Sequence, residues 1–139
     1  MTSPQRPARP IFTRLAAQDV HDIARTDRAL ATMALHLAIE LHNGEHQHMP
    51  LDDRIKTGDL GDCYKAPFGH DASRPTHRLV YRLVEGEMQV VEVVAVGPRE
   101  RDVAYLMAGL RLGRITDPYR KSVAERIVHR VLSRFRGDA

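Results

Sequence analysis

From Leu15 to His42 apolar residues recur at helical spacing, with no Pro or Gly to interrupt them. Val20, Ile23 and Ala24 share one face, and Leu30, Met33, Ala34, Leu37, Ala38 and Leu41 form a second stripe of 3.6-residue period. Thr26 and Asp27 stand between the stripes as N-cap residue types, and Asn43-Gly44 is a helix-ending pair. The segment therefore reads as an α-hairpin, preceded by a short edge strand over Ile11 to Arg14. Gly44 to Asp59 is polar, contains Pro50 and Gly58, and reads as a surface loop.

From Leu60 the period changes to that of strands. Tyr64, Ala66 and Phe68 alternate with Cys63, Lys65 and Pro67; Leu79, Tyr81 and Leu83 then alternate with Arg78, Val80 and Arg82. Glu85-Gly86-Glu87 reads as a tight turn into Met88 to Val96, a β-branched run suited to a central strand covered on both faces, with Glu92 paired or near an edge. Gly97-Pro98 ends that run. Helical spacing returns through Val103, Leu106, Met107 and Leu110 to Gly113. Thr116-Asp117-Pro118 then starts a last helix to Phe135, whose apolar stripe is Val123, Ile127, Val131 and Phe135. The expected class is α+β: a helical hairpin packed on a small antiparallel sheet, with an extra C-terminal helix. Residues 1–10 read as a flexible tail, 11–113 as the domain and 114–139 as a helical extension.

Composition narrows the classes. Hydrophobic residues at 42% and charged residues at 28% place the chain among soluble globular proteins. No apolar run is long enough to span a membrane, and the proline-containing first ten residues have no apolar core of a signal peptide, so the expected compartment is the cytoplasm. The net charge of +3 is unevenly spread: residues 1–60 hold 7 Lys/Arg against 8 Asp/Glu, and residues 61–139 hold 14 against 10. That excess favours an anionic partner such as RNA, although a solvated charged face is the plainer reading of the basic last helix. Cys63 is the only cysteine, which excludes an internal disulfide and a thiolate zinc cluster and reads as a buried structural thiol. His36, His42, His46 and His48 cluster in sequence, but Gly44 breaks their helical spacing and no carboxylate completes a ligand pattern. They read as loop and helix-face histidines, and no metal or cofactor is expected.

The candidate chemistry lies between Asp62 and Tyr105. Asp62-Cys63-Tyr64-Lys65, then Arg78-Leu79-Val80-Tyr81, then Val96-Gly97-Pro98-Arg99-Glu100-Arg101 followed by Tyr105, place Lys65, Arg78 and Arg99 on or at the ends of three successive strands. In a meander such residues can converge on one sheet face. These three segments, in this order, resemble the RelE branch of the RelE/ParE toxin superfamily over residues 11–113. The resemblance implies a messenger RNA endonuclease working on the ribosome and neutralised by a cognate antitoxin. Its chemistry is metal-free: the ribose 2′-hydroxyl attacks the adjacent phosphate, leaving a 2′,3′-cyclic phosphate and a 5′-hydroxyl. By position Lys65 matches the lysine that helps activate the 2′-hydroxyl, with a pKa depressed by cationic neighbours. Arg78 matches the phosphate clamp, Arg99 the arginine near the leaving group, and Tyr105 an aromatic that orients or stacks on substrate.

One position departs from the family. Pro67 stands where active members carry a second lysine, removing a cation and a ladder donor. His70, Arg74 or His77 is then the replacement, with His77 the best suited because imidazole titrates near neutrality. The same departure motivates a second reading, a non-catalytic module that kept the fold and binds a partner protein or RNA. In that reading the last helix docks a partner, supports a homodimer or covers the cationic face of its own chain. Taken singly, Lys65, Arg78 and Arg99 also read as solvent-facing strand residues, and Tyr64 and Tyr81 as core aromatics. A gyrase-directed role, as in the ParE branch, is the less expected alternative.

Overall fold

The computed structural model describes residues 9–51, 57–84 and 90–136. The tail over residues 1–8 and the Glu85-Gly86-Glu87 turn lie outside the described residues. Strand β1 (Ile11–Phe12) leads into α1 (Arg14–Thr26) and α2 (Arg28–His42), followed by β2 (Met49–Pro50), β3 (Cys63–Phe68), β4 (His77–Val84) and β5 (Val90–Pro98). A 3-10 turn (Glu100–Asp102) then enters α3 (Val103–Arg111), and α4 (Pro118–Phe135) closes the described chain.

The helix boundaries follow from local chemistry. Thr13 caps α1 by accepting from the Ala16 N–H, and Asp27 caps α2 by accepting from Leu30 N–H at 3.0 Å. Gly44, at φ +78°, takes the left-handed conformation just beyond the end of α2. Asp117 caps α4 by accepting from Arg120 N–H, and Pro118 fills the first turn, where no amide donor is needed.

The five strands lie in the order β1-β5-β4-β3-β2. The β3–β4–β5 meander is antiparallel, as the alternation predicts. Two features correct that expectation. β1 runs parallel to β5, so the sheet is mixed rather than antiparallel. Met49–Pro50, within the expected loop, pairs with Lys65 and Tyr64 as an edge strand. Proline is tolerated there because an edge strand needs donors on one side only.

The sheet is covered on both faces. Leu79, Tyr81, Ala66, Phe68, Val91, Val93 and Val96 pack against the α1–α2 hairpin. Cys63, Val80, Val94 and Ala95 pack on the other face against Val103, Ala104, Met107 and Val131 of α3 and α4. A bulge lets β5 serve both layers, since Val80 pairs with Ala95 while Tyr81 pairs with Val93, leaving Val94 as the extra residue. Glu92 is paired, as expected, through an Arg82 Nη2–Glu92 Oε1 contact of 2.7 Å across the ladder. Asp19 of α1 meets Arg111 of α3 through two contacts of 2.6 and 2.7 Å and accepts from Val96 N–H at 2.9 Å, tying both helical layers to β5. Among the described residues no helix is long and apolar enough to cross a membrane.

Candidate functional site

Strand parity sorts the expected site residues. Lys65 pairs with Val80 and Pro67 with Arg78, so these residues share the face that carries α3 and α4. Lys65 and Arg78 are diagonal neighbours on adjacent strands, roughly 7–8 Å apart in ordinary sheet geometry. Lys65 is half-buried. Pro67 lies directly opposite Arg78, and Gly97 of β5 flanks Arg78 on the other side. A side chain at Gly97 would meet the Met107 sulfur at 2.6 Å, so its absence allows α3 to settle close to the Arg78 end of the sheet.

Arg78 is held by that helix and the turn before it. Its Nη1 donates to Asp102 Oδ1 at 2.9 Å, and its guanidinium carbon lies 4.3 Å from the centre of the Tyr105 ring. Only 15% of the Arg78 side chain is exposed. Tyr105 is fully buried, so its ring supports Arg78 from within the core. The 3-10 turn is strained: Arg101 at φ +51° and Asp102 at φ +57° are consecutive non-glycine residues in the left-handed region. Such residues each cost about 1–3 kcal/mol and persist where surrounding contacts over-determine them, as the Arg78–Asp102 pair does here.

Arg99 and His77 lie elsewhere. Arg99 is exposed and lines a shallow groove with Pro75, Thr76, Glu100 and Phe135, while its backbone N–H donates to Thr76 O at 2.8 Å. His77 immediately precedes Arg78 on the strand and therefore faces the hairpin layer, with the sheet between it and Lys65. It is buried against Phe68 and against the edge of Phe135, with Nδ1 2.8 Å from Thr76 Oγ1. Burial pushes its pKa down to about 4, so the ring is neutral at physiological pH. It lines a cavity of about 380 Å³ whose apolar wall includes Ile23, Leu30, Val96 and Leu132. His70, at the mouth of that cavity, has Nε2 2.7 Å from Asp27 Oδ2. Arg74 makes a backbone turn contact to Asp71 in an exposed part of the same loop. The structure thus brings Lys65, Arg78 and Tyr105 onto one face and leaves Arg99 and His77 outside that group.

Cys63 is fully buried, and burial raises its thiol to about 12, which removes it from nucleophilic chemistry. Tyr81 is buried and stacks on Tyr64 with ring centres 5.6 Å apart, while its hydroxyl lies 2.7 Å from His48 Nδ1. His42 is buried against Val91 N–H and His46 pairs with Glu40 at 2.8 Å, so the sequence cluster of histidines disperses. Among the described residues no group of His, Cys, Asp or Glu forms a metal-ligating cluster. Asp102 carries no signal in the sequence, and Arg101 is marked there only as part of the segment over residues 96–101, because nothing in the pattern shows two non-glycine residues as left-handed.

A helical hairpin on one face of a mixed sheet and two further helices on the other make a small α+β fold. Residues 11–103 match the family described as ParE toxin of type II toxin-antitoxin system, parDE. The chain belongs to that family, and so is the toxin of a type II toxin-antitoxin pair. Membership implies a cognate antitoxin as partner. The match supports the RelE/ParE superfamily expected from the sequence without singling out the RelE branch. No curated protein and no solved structure gives a significant match.

Proposed function

We propose that this toxin acts in the cytoplasm by gripping a protein target, with DNA gyrase the target that the ParE family suggests. The observation that carries the reading is the state of Arg78. A phosphate clamp needs a guanidinium fork open to solvent, whereas this one is engaged by the Asp102 carboxylate, rests on the Tyr105 ring and is mostly covered. Metal-free cleavage also needs a proton acceptor, cations and a proton donor around one phosphate. Pro67 faces Arg78 where a second cation would be required, and His77 lies across the sheet. The arrangement suits a rigid binding body better than a proton-transfer centre.

Ribosome-dependent cleavage of messenger RNA is the second reading, supported by Lys65 and Arg78 sharing one face. In it Lys65 activates the 2′-hydroxyl, and Arg78 holds the phosphate after parting from Asp102. Purified protein separates the readings when added to a gyrase supercoiling assay and, separately, to ribosomes programmed with messenger RNA. Inhibition of supercoiling with intact message is expected. Message cut to 2′,3′-cyclic phosphate ends, with cutting lost in Arg78→Ala, would establish the second reading instead.

A further inference from the structure

We propose that a groove between the 3-10 turn and α4, lined by Arg101, Val123, Arg126, Ile127 and Arg130, binds an acidic amphipathic segment of the cognate antitoxin. This rests on membership of a toxin-antitoxin family and not on the identity of the toxin's target. The groove encloses about 170 Å³. Arg126 and Arg130 stand four residues apart on α4 and are exposed, so their side chains rise from one face of the helix one turn apart. Arg101 faces them from the strained turn, at φ +51°.

The charge distribution around α4 separates this groove from the rest of the helix. Arg134 is paired with Glu100, and Arg136 with Asp22. Among the described residues no carboxylate pairs with Arg101, Arg126 or Arg130. Three like charges therefore converge on one depression, an arrangement that is relieved when an anion enters.

The floor decides which anion. Val123 and Ile127 are half-buried branched aliphatics, and among the described residues no aromatic ring lines the groove. Channels for single-stranded nucleic acid combine cations with aromatic rings on which bases stack. An aliphatic floor between arginine forks instead fits an apolar side chain flanked by carboxylates, each able to take two parallel N–H donors.

The test measures the affinity of the full chain for the purified antitoxin encoded beside its gene, by calorimetry at several salt concentrations. Arg126→Glu/Arg130→Glu is expected to weaken binding at least about ten-fold and to flatten the salt dependence, whereas Arg120→Glu/Lys121→Glu changes it less than about two-fold. Arg101→Gly keeps the left-handed turn without strain and removes one guanidinium; it is expected to weaken binding about three- to ten-fold. Circular dichroism on each variant checks the fold. Unchanged antitoxin affinity in both the double variant and Arg101→Gly overturns the proposal. So does a loss confined to binding of a single-stranded oligoribonucleotide, which would assign the groove to RNA.

Discussion

His77 sits between Phe68 and Phe135 beside a cavity in the hairpin layer, and its environment sets a measurable pH response. Burial lowers its pKa from 6.5 to about 4, outweighing the opposite pull of Asp27. As pH falls below 6.5 the unfolded chain takes up a proton that the folded chain refuses. Stability should therefore fall between pH 6.5 and about 4, by up to roughly 3 kcal/mol, and be independent of this group above pH 6.5. Asp27, held below its ordinary 3.8 chiefly by the His70 hydrogen bond, adds its own loss only in more acid solution. Urea unfolding of the wild type and His77→Gln across this window checks the assignment; parallel curves would refute it. Asp102 makes a second prediction. Asp102→Ala removes the partner of a largely covered arginine and puts alanine in a left-handed conformation, so a loss of about 2–3 kcal/mol is expected. Asp102→Asn, which tolerates that conformation and keeps an acceptor oxygen, should lose about half as much. Equal losses would mean that the pair does not hold the turn. Adjacent strand residues face opposite ways, so the alternation sets His77 apart from Arg78, against its expected place in the same site. The burial of Tyr105 was not legible, because helical spacing gives a helix its apolar face without telling how many layers will cover it.

At the scale of elements, α3 is held between the sheet and α4. It lies against β5 on one side and α4 on the other, and Val103 to Gly109 are all buried. Gly109 is required there: a Cβ would stand 2.2 Å from the Thr57 carbonyl oxygen, a backbone atom that cannot swing aside. Gly109→Ala should destabilise by about 1–3 kcal/mol through forced separation of α3 from that segment, read as a lowered thermal midpoint with an unchanged helical spectrum. An unchanged midpoint would show that the segment yields freely. The elements themselves were largely legible: the helical stripes, the Asp27 and Asp117 caps and the β-branched run each appear in place. β2 was not, because Met49–Pro50 has no pattern of its own and becomes a strand only through its partner β3. β1 was legible as an edge strand but not in its direction, which is set by the return of α1 over the sheet. The stripe of α4 is rotated as well: Ala124 and Val131 are its buried residues while Phe135 is 42% exposed, since the helix end leaves α3 to reach His77 and α1.

At the scale of the whole molecule, the cationic second half of the chain holds, among the described residues, arginines with carboxylate partners and arginines without. Arg78, Arg82, Arg111 and Arg114 are paired with Asp102, Glu92, Asp19 and Asp62. Arg101, Arg126 and Arg130 gather at the surface groove where an acidic partner can be met. Charge counted along the sequence points to an anionic ligand in general; after folding, the arginine expected to clamp phosphate is engaged by Asp102. The nuclease reading expects Lys65, Arg78 and Arg99 to converge on one sheet face, with Tyr105 on the helix beside it and His77 replacing the cation lost at Pro67. Lys65 and Arg78 share a face, with Tyr105 against Arg78, while His77 faces the other way. Under the proposed function, toxicity comes from holding a protein target and not from cutting RNA. Sequencing of 5′-hydroxyl RNA ends after induced expression tests it most directly. Growth arrest with no new ends within coding regions is the predicted result. New ends at defined positions in translated messages, lost in Lys65→Ala and Arg78→Ala variants that still fold, would contradict it.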